Sequence, residues 1–126
     1  MADKKLTVSV ISPDKILYSG DADSLSVPGV NGEMGILWNH APLISELGIG
    51  VLEIMDNNDP IIIAIDGGFI EVKNNQINVL AVSGEMKENI KEEVAKKMLA
   101  EAEKLNPSIE KQNALKMAKT RISILK

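Results

Sequence analysis

The residues best suited to chemistry lie together in the stretch GEMGILWNHAPL, residues 32–43. It contains His40 and Trp38, the only histidine and the only tryptophan of the chain, and it includes the carboxylate of Glu33. A histidine can act as a general base when a neighbouring group orients it, or as a metal ligand when other ligands lie near. The stretch is therefore either a catalytic or metal site, or a loop that contacts a partner.

The residues around His40 support neither catalysis nor metal binding. No Ser-His-Asp spacing is present, and a zinc site needs about three protein ligands, which one histidine in a chain without cysteine supplies poorly. Gly29, Gly32 and Gly35 are not followed by the Lys-Ser/Thr pair of a phosphate loop. We therefore expect no catalytic residue, no metal and no cofactor. These three glycines are interpreted instead as part of a long loop that needs positive φ at several points.

Short alternating segments in residues 1–85 would have to position this loop. Apolar and polar residues alternate with a period of two, which is typical of half-buried strands. Turn residues separate the runs, among them Gly48–Gly50, Gly67-Gly68 and Asn74-Asn75. Strands this short and frequent predict an antiparallel β-sandwich or barrel. The acidic segment 66–69 is interpreted as a tight connection between two buried strands rather than as a catalytic turn.

Residues 86–126 have a different pattern, which predicts a second domain made of two helices. Apolar residues recur there at helical spacing. Asn106-Pro107-Ser108 breaks the pattern; Asn106 or Ser108 can cap the second helix, and Pro107 suits its first turn. The short link predicts an antiparallel two-helix hairpin. The two apolar stripes are Val94, Ala95, Met98, Leu99, Ala102 and Leu105, then Leu115, Ala118, Ile122 and Leu125.

Charge is distributed unevenly along the 126 residues, whose net charge is −4. Residues 1–84 carry a net charge of −7 and residues 85–126 a net charge of +3. The second predicted helix, residues 106–126, carries +4, which favours an acidic partner, although a solvated charged face is an equal alternative. The low aromatic content and the acidic balance argue against nucleic-acid binding.

Several absences in the sequence favour the cytosol or a cytosolic membrane face. No apolar run approaches the roughly 18 residues of a membrane span, and the longest, Ile61–Ile65, has five residues. The first residues, MADKKLTV, lack the apolar core of a signal peptide. The absence of cysteine excludes disulfide bonds.

The order of the motifs resembles the ε-subunit family of bacterial and chloroplast F-type ATP synthases, the counterpart of the mitochondrial δ subunit. PGVNGEMGILWNHAPL (28–43) is followed by GVL (50–52), GGFIEV (67–72), INVLA (77–81) and the basic hairpin. The resemblance covers essentially the whole chain. The family's loop pattern is close to G-E-x-G-x-x-P-G-H-A-P-L. This chain keeps Gly32, Glu33, Gly35, His40, Ala41, Pro42 and Leu43.

The resemblance implies a ten-stranded β-sandwich followed by two helices, acting as a non-catalytic rotor subunit. In this family the sandwich binds the γ subunit and sits on the membrane ring of c subunits. Such a subunit is peripheral to the membrane through the c-ring, on the cytoplasmic face of the bacterial inner membrane. The residues expected to contact the c-ring or γ are Glu33, Met34, His40, Ala41, Pro42, Leu43 and Ile44.

The helices of this family can extend along γ into the α3β3 head, near an acidic segment of β, and block ATP hydrolysis. The basic face expected to act in this way consists of Lys111, Lys116, Lys119 and Arg121. Some relatives also bind ATP through a motif like I/L-D-x-x-R-A. In the matching residues, Ile90 to Ala95, Lys91 stands in place of the Asp and Val94 in place of the Arg. Because lysine lacks the planar fork of arginine, we expect weak ATP binding or none.

Trp38-Asn39 departs from the family's usual Pro-Gly. Asparagine tolerates the left-handed conformation better than most residues, so the turn can persist. Trp38 either packs in the core, which we favour, or lies at the edge between membrane and ring. Two rival functions remain at this point: a nucleotide-binding module with its ligand between sandwich and hairpin, and a small hydrolase built around His40.

Overall fold

The computed structural model describes residues 4–126, which form eight strands, one short 3-10 helix at Lys87–Asn89 and two α-helices. Within each strand, alternating apolar residues supply the buried face. The strands are β1 (Leu6–Ser12), β2 (Lys15–Ala22), β3 (Ser24–Gly29), β4 (Gly32–Ile36), β5 (Leu43–Asp56), β6 (Asp59–Lys73), β7 (Gln76–Ala81) and β8 (Gly84–Met86); the helices are α1 (Glu92–Glu103) and α2 (Ile109–Leu125).

The strands form one hydrogen-bonded path in the order β2-β1-β7-β6-β5-β3-β4, and β8 pairs with the first half of β6. All pairs are antiparallel except β1 with β7, which is parallel. Two-residue turns at Asn57-Asn58 and Asn74-Asn75 join β5 to β6 and β6 to β7, with φ between 52° and 65°. Asparagine is favoured there because such hairpin turns need positive φ.

The sandwich followed by two helices is confirmed, but residues 4–126 contain eight strands where ten are expected. The difference arises at β5 and β6, which run without interruption through predicted turns. In β6 the inward positions are Ile63 and Ile65 before the two glycines, and Ile70 and Val72 after them. This change from odd to even positions marks an irregularity inside the strand. The prediction of a connection between two strands at residues 66–69 is therefore wrong.

Gly67 and Gly68 make this irregularity possible, with φ values of +92° and +141°. A Cβ at Gly68 would collide with the carbonyl oxygen of Leu80 on β7. Both halves of β6 can consequently present apolar residues to the same core. Strands at both ends of the path, β2 and β4, also contribute to this core. The core contains Leu17 of β2, Val8 of β1 and Ile36 of β4. A flat sheet could not gather these distant strands, so the path folds over into two layers.

The helical hairpin packs on the outer face of the sandwich, against the first half of β6 and the adjoining part of β5. This second apolar cluster is separate from the main core and contains Ala64, Ile90, Ala95 and Ile124, with Val51, Ile62, Ile122 and Leu125 at its edge. Ser108 caps α2 by accepting a hydrogen bond from the Lys111 amide. Pro107 precedes this cap, so its predicted place in the first turn is wrong. The domain boundary at residue 85 stays a prediction; β8 ends at Met86.

Candidate functional site

Glu33 lies near the start of β4, an edge strand of the sheet, and His40 lies in the loop that follows this strand. The interpretation of residues 29–35 as one long loop is wrong: residues 32–36 are paired with β3, and of the three glycines only Gly32 has positive φ. Because a strand rises about 3.3 Å per residue, the backbone of Glu33 lies about 10 Å from the end of β4. The exposed carboxylate thus lies near the start of the strand, and the histidine lies beyond the end of the strand.

His40 follows a tight turn in which its amide donates to the Leu37 carbonyl at 3.1 Å. Its Nδ1 lies 2.7 Å from the Ala41 carbonyl oxygen. A carbonyl only accepts, so Nδ1 carries the proton and Nε2 is left for a partner. Among residues 4–126 no group of three or more metal-type ligands is assembled. The ring partner of His40 is therefore a backbone carbonyl, and the role of His40 as a contact residue stays a prediction.

Asn39 holds the turn before His40 and is itself held by the β6–β7 hairpin. Its φ is +63°, so the prediction that asparagine sustains the left-handed position is confirmed. The Asn39 amide donates to Oδ1 of Asn75 at 2.6 Å, and Nδ2 of Asn75 donates to Oδ1 of Asn39 at 3.2 Å. The loop is therefore fixed to the sandwich by two reciprocal hydrogen bonds between Asn39 and Asn75, which local sequence reasoning missed.

Trp38 lies at the surface, with 36% of its area exposed. The favoured interpretation of Trp38 as a core residue is wrong. Trp38 precedes Asn39, which occupies the left-handed position. It stands beside the other residues of the loop, where an amphipathic ring can contact a partner and water together.

The remaining predicted contact residues divide by burial. Met34 and Leu43 are partly buried and pack against the main core. Ala41 and Pro42 are exposed in the loop, and Ile44 is 74% exposed at the start of β5. The structure thus directs two of these side chains inward, where they support the loop, and leaves the others at the surface. Their contacts with a ring or with γ stay predictions.

A row of apolar side chains crosses the outer face of the layer formed by β2, β1, β7 and the second half of β6. Ile16, Ile11, Leu80 and Phe69 are consecutive register partners on β2, β1, β7 and β6. Ile16 is 70% exposed, and Phe69 and Leu80 are more than half exposed. We call these four residues the outer apolar row. Sequence reasoning missed it, although the outward positions of the alternating strands, at which a polar residue is usual, were a readable signal.

The four basic residues predicted to form one face of α2 have different surroundings. Lys116 and Lys119 are exposed. Lys111 is half-buried and donates from Nζ to the Glu103 carbonyl at 3.1 Å, at the C-terminus of α1, where a cation is favourable. Arg121 is buried, with 4% of its area exposed. With the hairpin docked, only the two exposed lysines are open to an acidic partner.

Arg121 binds two carboxylates of the sandwich. Its guanidinium donates to both oxygens of Asp66 at 2.8 Å and, through Nε, to Oε1 of Glu85 at 2.6 Å. A further hydrogen bond reaches the Met117 carbonyl at 3.1 Å. Burial alone would lower the pKa of Arg121, but the hydrogen bonds to Asp66 and Glu85 outweigh it and raise that pKa above its ordinary value. The guanidinium therefore stays charged.

The residues at the ATP-motif positions have different surroundings in the docked arrangement. Ile90 and Ala95 are buried in the apolar cluster beneath the hairpin, whereas Val94 is 49% exposed. Lys91 is exposed at the N-cap of α1, which has no side-chain capping bond. Weak ATP binding or none stays a prediction. Neither α1 nor α2, the α-helices of residues 4–126, combines the length and apolarity needed to cross a bilayer.

Comparison with known families matches residues 5–87 to the model described as "ATP synthase, Delta/Epsilon chain, beta-sandwich domain". The ATP synthase epsilon chain of Leptospira interrogans, serovar copenhageni, is 54% identical over 98% of both chains. That of Leptospira borgpetersenii is 56% identical over 95% of this chain and 94% of its own length. That of Synechocystis sp. is 40% identical over 88% of this chain and 85% of its own.

Two solved structures share the fold. A chain of the Euglena gracilis mitochondrial ATP synthase (OSCP/F1/c-ring) superposes with a TM-score of 0.84 and 22% identity, covering 98% of this chain and 82% of the other. A chain of the Tetrahymena thermophila mitochondrial ATP synthase (central stalk/c-ring) gives a TM-score of 0.62 and 15% identity, covering 99% and 96%. At these identities the likeness concerns the fold alone.

Proposed function

The chain belongs to the ATP synthase delta/epsilon chain family, and on that premise we propose that it is a non-catalytic subunit of the central stalk. It joins γ to the c-ring, so that ion-driven rotation of the ring reaches the α3β3 head. The observation that carries this proposal is the match, over nearly the whole length of both chains, to epsilon chains of ATP synthases. As a stalk subunit it is peripheral to the membrane, on the cytoplasmic face of the bacterial inner membrane.

The outer apolar row is the surface that best suits γ. An exposed apolar surface of this kind is typical of protein interfaces, and Phe69 is an aromatic anchor at one end of it. The row lies on the layer that the hairpin does not cover, so it is open whether or not the hairpin is docked. Docking of γ there would leave the hairpin free to move.

The loop that carries His40 suits the c-ring. His40, Ala41 and Pro42 project from a turn that the Asn39–Asn75 pair holds in place, and Glu33 lies at the other end of the same edge strand. A fixed loop loses little conformational freedom on binding, which favours affinity. These residues act through contact, and the chain makes and breaks no covalent bond.

The test of this function is assembly with the other subunits. Replacing Phe69 and Leu80 by Glu should reduce recovery of γ with the tagged chain at least tenfold, because two charges would be buried in the interface. Val94→Glu is the matched control, since it makes the same change at an exposed apolar position on α1. A tagged parent chain that recovers neither γ nor c subunits from the cells that make it would overturn the proposal.

A further inference from the structure

The ion pair of Arg121 with Asp66 and Glu85 crosses from the hairpin to the sandwich. The Arg121 and Asp66 side chains are 5% and 3% exposed, and that of Glu85 is 32% exposed. We infer that these three residues are a latch that holds the hairpin on the sandwich, and that a partner must break this latch before α2 can extend. The latch itself needs no assumption about function; only its consequence in the enzyme rests on the proposed function.

The sandwich holds the acceptor side of the latch ready. Asp66 lies next to the irregularity at Gly67, on the side of β6 that faces the hairpin, and accepts a hydrogen bond from Oγ of Ser83 at 2.6 Å. The Asp66 amide also donates to the Ser83 carbonyl at 3.0 Å. Glu85 lies on β8 opposite Ala64, in the same strand pair. A fixed carboxylate matches the rigid fork of a guanidinium in both geometry and charge.

The free energy of this ion pair suits a contact that forms and breaks reversibly. Desolvation of two buried charges nearly cancels their attraction, so an intact buried pair defines geometry more than it adds stability. Removing one partner is costly, because the other charge is left buried and unpaired. The chain can relieve that cost by releasing the hairpin, since helices of this length are marginal alone and the main core lies wholly in the sandwich.

The guanidinium of Arg121 can bind either the sandwich or another acidic partner, but not both at once. Docked, Arg121 is bound to Asp66 and unavailable to any other acidic group. Extended, it adds a third cation to the exposed Lys116 and Lys119 on α2. An acidic segment of the head therefore competes with Asp66 for the same side chain, and the free-energy difference between the docked and extended states sets how often the helix is free.

Amide hydrogen exchange of the free full-length chain tests the latch directly. Asp66→Asn removes the charge and keeps the size, and it should lower the protection of residues 109–125 at least tenfold while β1 and β7 stay protected. Glu85→Gln should have a smaller effect, since that carboxylate is partly solvated. Glu71→Gln is the matched control, because Glu71 is an exposed carboxylate on the same strand and should change nothing.

The outcomes are distinct. Unchanged protection of α2 in Asp66→Asn overturns the latch. If Asp66→Asn also exposes β1, the strand itself is disturbed, and Arg121→Lys takes over the test because it leaves the sandwich sequence intact. Arg121→Lys keeps the charge but not the fork, and it should lower α2 protection severalfold. Unchanged protection in Arg121→Lys would then overturn the latch.

The assembled ATP synthase tests the consequence. Asp66→Asn leaves the basic helix intact and should lower ATP hydrolysis severalfold, since the freed hairpin extends more often. If the helices are released but ATP hydrolysis is unaltered, the latch is supported and the inhibitory role is refuted. If the helices stay protected while ATP hydrolysis falls, the latch is refuted and the inhibitory role is kept.

Discussion

Asn39 and Asn75 show how a single pair of residues holds a loop in shape. Their reciprocal hydrogen bonds join the turn before His40 to the hairpin between β6 and β7, 36 positions away in sequence. Each bond adds about 1 kcal/mol of net stability. The loop consequently keeps its shape without the proline that is usual in the family.

Asn75→Gly should loosen this loop. Glycine keeps the left-handed backbone at φ +61° and removes the side chain that binds Asn39, so the effect is confined to the lost hydrogen bonds. Amide exchange at residues 38–41 should accelerate at least threefold. Asn74→Gly is the control, because Asn74 has a similar φ of +52°. Equal exchange in the two variants would show that the pair does not hold the loop.

Lys5, which precedes β1, pairs with Asp23 between β2 and β3 and with Asp56 at the end of β5. Its Nζ lies 2.7 Å from Oδ1 of Asp23 and 2.8 Å from Oδ1 of Asp56. The hydrogen bond to Asp23 is the main reason that the pKa of Lys5 is raised. The same bond, with one from the Asn57 amide, lowers the pKa of Asp23.

Lys5→Met should therefore narrow the pH range of stability. A lowered pKa of Asp23 stabilises the fold above the unfolded value of about 4 and loses that effect as the pH falls through the folded pKa. Thermal melts of parent and variant should differ most near neutral pH and converge in acid. Lys4→Met is the control, and a difference that persists unchanged at pH 2 would contradict this account.

Strands β5 and β6 are the elements that make the sandwich. Each contributes to both layers, which requires a change of inward face within one strand. Gly68 is the residue that permits this change in β6, because its φ is +141° and no Cβ fits beside the Leu80 carbonyl. The contact with the helical hairpin depends on the same irregularity, because Asp66, which binds Arg121, lies two residues before Gly68.

Gly68→Ala should destabilise the fold by about 2 kcal/mol or more, through backbone strain and the clash with β7. Gly35→Ala is the matched control: nothing lies within 4 Å of a Cβ built there. Urea unfolding followed by circular dichroism measures both. If the two variants unfold at the same midpoint, the irregularity tolerates a side chain and the argument from Gly68 fails.

The fully exposed positive charges of helix α2 are Lys116 and Lys119. Replacing Lys116 and Lys119 by Gln should weaken inhibition of ATP hydrolysis severalfold, more so at low salt, because exposed charges are screened as salt rises. Lys96 and Lys97 on α1 provide the matched pair of control substitutions. Inhibition that is unchanged, or changed equally by both pairs, would show that the charge of α2 does not direct the interaction.

At the scale of the whole molecule, we propose that assembly depends on the sandwich and inhibition of ATP hydrolysis on the hairpin. The main core lies in the sandwich, and the hairpin rests on it through a second, smaller cluster. The outer apolar row and the His40 loop belong to the sandwich, whereas the exposed basic residues belong to α2. Loss of the hairpin should therefore remove inhibition and spare assembly.

Deletion of residues 88–126 should leave a folded chain that still binds γ, with ATP hydrolysis raised severalfold in the assembled complex. The deletion uncovers Val51, Ile62 and Ala64, so some loss of solubility is expected. Binding to γ, measured by co-purification, separates the tasks. A truncated chain that no longer assembles would show that the hairpin is part of the coupling surface.

The sequence by itself determined the elements and the family. Period-two alternation, asparagine turns and the change to helical spacing after Gly84 predict strands and helices, because each period follows from the geometry of a single element. The kept residues of the loop, among them Glu33 and His40, identified the family. They did not reveal that a strand separates these two residues, because glycine spacing alone does not distinguish a loop from an edge strand.

Only the tertiary structure decided what the elements bring together. Arg121 and Asp66 are 55 positions apart, and the outer apolar row draws one residue from each of four strands. The inward face of β6 changes at Gly67-Gly68, which looked like a turn because glycines serve both purposes. Register and docking depend on contacts between distant segments, and no local pattern encodes them. Arg121 is therefore basic in the sequence and buried as a latch in the fold.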